Sequence, residues 1–75
     1  MKEKLPRLNA DRAIKVVEKL GFVLARQSGS HKIYKNAKGI RITIPYHKGK
    51  ILHPKIVKCI MKDAEITLST LQELL

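Results

Sequence analysis

From Lys19 through Lys62 the chain has no aspartate and no glutamate, although eleven lysines and arginines, those two included, fall in that interval. This absence argues against a carboxylate-built site for a hard divalent cation, which is assembled from oxygen ligands. A single cysteine, Cys59, excludes an internal disulfide. It stands beside Ile60 and Met61 in a helical pattern and reads as a small residue near the core edge. His31, His47, His53 and Cys59 show none of the paired spacings of zinc sites. No metal and no cofactor are therefore expected. No apolar run approaches the roughly 18 residues of a membrane span, and Met1–Pro6 lacks the apolar stretch of a leader. Neither end is a basic amphipathic helix with large apolar anchors, so no membrane partner is expected. The expected location is the cytoplasm.

What remains is a basic, ordinary globular composition. The chain has 75 residues, 44% apolar and 29% charged, which suits one small soluble domain over 1–75. Its formal net charge is +10. Such a balance calls for a polyanionic partner, and nucleic acid or an acidic protein fits best.

Hydropathy patterning supplies the elements. Asn9 or Asp11 can cap a helix, and Ala10, Ala13, Ile14, Val17 and Leu20 recur at helical spacing. Gly21 follows as a helix stop, so the first helix is expected over about 10–20. Residues 22–27 read as a strand, Ser28-Gly29-Ser30 as a turn, and 31–35 as a second strand. Asn36–Gly39 forms a hairpin loop. Ile40–Ile44 alternates as a third strand with one buried and one wet face, and Pro45 ends it or marks an edge. His47–Lys50 is a basic loop. Pro54 suits the first turn of a helix expected over about 54–64. Its Ile56, Val57, Ile60, Met61 and Ala64 form one stripe, with Lys55, Lys58 and Lys62 opposite. Thr67 or Ser69 caps a short final helix, and Ser69/Gln72 or Thr70/Glu73 can form a capping box. Residues 1–8 read as an extended arm.

The order helix, three strands, helix, short helix predicts an α+β domain with a three-stranded antiparallel sheet and both main helices on one face. That α-β-β-β-α layout is like the double-stranded-RNA-binding domain. The analogy concerns fold alone.

His31 follows Gly29-Ser30 and opens the second strand inside the basic interval. Histidine changes charge near neutral pH and can serve as general base or general acid. In RNA cleavage it can take the ribose 2′-OH proton or protonate the leaving 5′-oxygen, while cations or N–H groups stabilise the charged transition state. Taken alone, a histidine at a strand start is first of all a surface or hydrogen-bonded residue. Gly29 permits close backbone approach to a phosphate and Ser30 offers a hydroxyl, though both are also ordinary turn residues. Pairing of the second and third strands would bring His31 and His47 to the same end of the sheet. His53 reads as a solvated loop residue. Arg26, Lys32, Arg41, Lys48, Lys50, Lys55 and Lys58 are candidate phosphate-backbone contacts. A solvated face explains the helix lysines equally well. With only Phe22, Tyr34 and Tyr46 as aromatics, a base-stacking sheet platform is not expected.

Leu20-Gly21-Phe22, Arg26–His31 and Ile44-Pro45-Tyr46-His47, in this order in so short a chain, resemble the HicA toxins. These are small messenger-RNA interferases of toxin–antitoxin pairs, and the likeness runs from about Leu5 to Leu74. It implies a double-stranded-RNA-binding-like fold, metal-independent endoribonuclease activity, His31 as the catalytic histidine, and a HicB-type antitoxin covering the site. Many members carry Gly-Thr where the second helix begins. Here Lys55-Ile56 occupies that place after His53-Pro54. A non-catalytic RNA-binding module of the same fold is the alternative.

Overall fold

The first helix is set at both ends by side-chain and glycine chemistry. A computed structural model describes residues 5–75. Asn9 caps α1 (Ala10–Lys19), its side-chain oxygen accepting from the Arg12 N–H at 2.9 Å. Gly21, at φ +94°, ends it. The Phe22 N–H reaches back to the Val17 carbonyl and the Gly21 N–H to that of Glu18, each at 3.0 Å. This is the Schellman arrangement, which requires a left-handed residue after the cap.

Three strands follow, β1 (Val23–Ser28), β2 (His31–Lys35) and β3 (Arg41–Pro45). They pair antiparallel in the order β1-β2-β3, one residue later at each end than expected for β1 and β3. Gly29 (φ +58°) is the first of two loop residues between Ser28 and His31. A positive φ there alone is what a type II′ hairpin turn requires. The Gln27 side-chain amide donates to the Gly29 carbonyl at 3.0 Å. In the second hairpin, Asn36 Oδ1 accepts from the Lys38 and Ile40 N–H groups at 3.0 and 2.9 Å.

Both edge strands carry an irregularity. Ala25 is passed over in the β1–β2 register, which steps from Leu24↔Tyr34 to Arg26↔Ile33. This bulge puts Leu24 and Arg26 on opposite faces, although strict alternation would put them on one. On β3, the Tyr46 N–H donates to the Ser30 carbonyl at 2.6 Å and the Asn36 N–H to the Ile40 carbonyl at 3.1 Å. His31↔Pro45 is then a non-hydrogen-bonded pair. The donor that proline lacks falls on the open edge, where it costs nothing.

α2 (Pro54–Ala64) matches its expected span, and α3 (Leu68–Leu74) follows. Thr67 caps α3 and accepts from the Thr70 N–H at 3.2 Å. With the helix starting at Leu68, the Ser69/Gln72 and Thr70/Glu73 boxes fall inside it and have no cap to serve. Glu65 ends α2 in a left-handed conformation (φ 59°, ψ 44°), where glycine is usual.

One face of the sheet builds the core. Tyr34, Ile42 and Ile44 are buried with Val16 and Val17 of α1, Val57 and Ile60 of α2, and Leu71 of α3. Val16, outside the expected stripe, is buried, whereas Ile14 and Leu20 of that stripe are half-buried. Ile56, Met61 and Ala64 also sit at the core margin. Ahead of α1, Leu8 is buried, and its carbonyl accepts from the Leu52 N–H at 2.7 Å. An Asn9↔Ile51 bridge adjoins this bond. The arm expected over 1–8 is thus pinned at its end, and its Met1–Lys4 part lies outside the described residues. No helix among the described residues is long and apolar enough to cross a membrane.

Candidate active site

The uncovered face of the sheet is defined by register, because directly opposite residues share a face. Ser28, His31 and Pro45 form one row, and Arg26, Ile33 and Thr43 the next. Lys35 and Arg41 lie beyond. His31, Arg26, Ser28, Lys35, Arg41 and Thr43 are exposed. No strand residue is an acid. Arg26 is the diagonal neighbour of His31, about 7–8 Å away between backbones and within reach for a long side chain. Arg26 thus stands one diagonal step from His31, with Lys35 and Arg41 farther along the same face.

Gly29 and Ser30 form the turn that delivers His31. Ser30 is half-buried, and its carbonyl is held by the Tyr46 N–H. His47 is the next residue after Tyr46 and two past Pro45, the cross-strand partner of His31. The register thus brings His31 and His47 to one end of the sheet. Lys48 and Lys50 are exposed in the adjoining loop, where the Lys50 N–H donates to the His47 carbonyl at 3.0 Å.

Lys32 sits apart from this set. Its partner Ile44 places it on the helix face, and its Nζ lies 4.1 Å from the Tyr46 ring centroid. This cation–π contact joins β2 to the segment leading into His47. On the same tyrosine, the nearby Asp11 carboxylate, first by its pull as a hydrogen-bond acceptor and then by its negative charge, pushes the phenol pKa up. Burial first, and the Glu18 carboxylate second, raise that of Tyr34. Lys55 and Lys58 are exposed on α2, an element on the other side of the sheet from His31. The candidate cations thus divide between the open face, the 47–50 loop and α2.

His53 has a role that its place in the sequence did not suggest. It is exposed, yet it caps α2, its Nδ1 accepting from the Lys55 N–H at 3.0 Å. Histidine is not among the preferred cap residues, and only the following Pro54 marked the boundary. His47 and His53 also share a cleft beside β3 and the start of α2 that His31 does not line. Cys59 is free and exposed. Among the described residues, no group of three or more His, Cys, Asp and Glu is arranged to hold a metal ion.

The fold and this face define a small basic α+β domain that presents a histidine on an acid-free sheet. The family model described as the HicA toxin of bacterial toxin–antitoxin matches residues 10–66, and the chain belongs to that family. It is the toxin side of a toxin–antitoxin pair, whose partner is a cognate antitoxin. No curated protein matches the chain.

Proposed function

We propose that the chain is a metal-independent endoribonuclease acting on messenger RNA, with His31 as general acid or base, and that an antitoxin of the HicB type silences it by covering the open sheet face. The whole of 1–75 is taken as one such domain. The observation that carries the reading is the exposed His31 with Arg26 as its diagonal neighbour on a sheet without acids. In the step proposed, the ribose 2′-oxygen loses its proton and attacks the adjacent phosphorus. The P–O5′ bond breaks and the 5′-oxygen gains a proton. The products are a 2′,3′-cyclic phosphate and a 5′-hydroxyl, and His31 handles one of the two protons.

The remaining residues have supporting roles in this reading. Arg26 and Arg41 neutralise charge on the open face, and the Gly29-Ser30 turn lets the RNA backbone approach closely. His47, Lys48 and Lys50 hold the strand where it leaves the sheet end. Lys55 and Lys58 contact phosphates farther away. Lys32 contributes from behind, by fixing Tyr46.

The test is His31→Ala, assayed for binding and for cleavage with and without a chelator. Binding is expected to persist while cleavage falls by about 10²–10⁴-fold, the usual worth of a positioned acid or base. Cleavage unchanged in that variant would remove His31 from the chemistry. Cleavage by the unaltered chain that a chelator abolishes would remove the metal-independent step. Binding without cleavage by the unaltered chain would make it an RNA-binding module.

A further inference from the structure

We propose that the cleft between the end of β3, the 46–53 segment and the start of α2 holds one unstacked nucleobase of single-stranded RNA. The inference rests on the RNA reading given above and adds a base subsite to it. The cleft measures about 210 Å³. At roughly 30 Å³ per water in the liquid, that is room for about seven waters, which suits one flat ring.

The lining matches such an occupant. Pro45, Ile51, Leu52 and Ile56 supply apolar surface. His47, Lys50 and His53 supply two flat imidazoles and a cation, with no acid among them. An apolar pocket with a few polar groups is the usual form of a small-ligand site. Aromatic faces and cations serve bases of a single strand, whose π-faces are free. His53 spends Nδ1 on the Lys55 N–H, so Nε2 is the ring atom left to meet a base edge.

The walls are fixed before any ligand arrives. The Leu52 N–H bond to the Leu8 carbonyl and the Asn9↔Ile51 bridge hold one side. The Lys50-to-His47 backbone bond closes the loop. Pro45 belongs both to the cleft and to the row of His31. In a non-hydrogen-bonded pair the two Cα atoms stand about 4.5 Å apart. A strand with its scissile phosphate at His31 therefore brings an adjoining base to the cleft. A duplex keeps its bases stacked and cannot fill it, so the subsite selects single strands on a fold whose likeness suggests double ones.

The experiment measures fluorescence anisotropy of the His31→Ala chain with a short single-stranded oligoribonucleotide and with its counterpart lacking bases. Photocrosslinking with a thiouridine-bearing oligonucleotide then maps the contact. The abasic strand is expected to bind about 5- to 150-fold more weakly, as for loss of one stacked base. Crosslinks are expected within residues 45–56. Ile51→Ser, at a wall position that is 56% exposed, should remove most of the difference between the strands. Equal binding of both strands, or crosslinks only outside 45–56, would overturn the subsite while leaving RNA binding in place. If neither strand bound, the RNA reading itself would fall, and the subsite with it.

Discussion

At the scale of single residues, the phenols of Tyr34 and Tyr46 are both harder to ionise in the fold than their ordinary 10.0. The fold therefore favours their neutral form. Their contribution is complete below about pH 10 and is lost as pH rises through the raised values. Tyr46→Phe should lose less stability than the parent between about pH 9 and 11, read by denaturant midpoints across that range. Glu65 offers an independent test. A non-glycine residue in the left-handed region costs about 1–2 kcal/mol. Glu65→Gly should thus stabilise the chain by up to about 1 kcal/mol once glycine's added unfolded-state freedom is subtracted. A lower melting temperature would contradict it.

At the scale of elements, the short α3 has one fully buried residue, Leu71, which is 1% exposed, with Leu68 and Leu74 half-buried beside the core. Seven residues cannot hold a helix in water unaided. Leu71→Ala should cost about 2–5 kcal/mol and release α3, seen as lost amide protection there ahead of the sheet. The elements themselves were legible in the sequence because their signals are local: Asn9 and Gly21 around α1, Gly29-Ser30 in the first turn, Pro54 at α2. The alternation in 40–44 also gave the buried pair Ile42 and Ile44. The bulge at Ala25 had no such signal. The expected strand at 22–27 carried no burial pattern, and its apolar Val23 and Leu24 are 66% and 49% exposed on an edge the helices do not cover. For the candidate site, the place of His31 beside the end of β3 followed from hairpin logic. The separation of Lys32 from the other cations needed the register to one residue, because a single step reverses the face. The cleft is lined within 45–56, but the backing that Leu8 and Asn9 give it comes from a distant segment, and such a contact leaves no pattern along the chain.

At the scale of the whole molecule, stability is small and charge is large. At about 0.05–0.15 kcal/mol per residue, 75 residues amount to roughly 4–11 kcal/mol, so the loss of Leu71 alone would take a major share. The charge of +10 should make RNA association fall steeply with salt, log K declining linearly with log salt at a slope of several. Salt-insensitive binding would count against phosphate contacts as its main source. The broken edges have a further consequence for a chain that accumulates alone. Sheets grow into filaments by adding strands to a continuous ladder of free donors and acceptors. Here β1 is interrupted at Ala25 and β3 lacks a donor at its Pro45 end, so neither side offers a full ladder for open-ended growth. A strand that does join this sheet must carry an irregularity to match, which turns each edge from a general adhesive into a selective one.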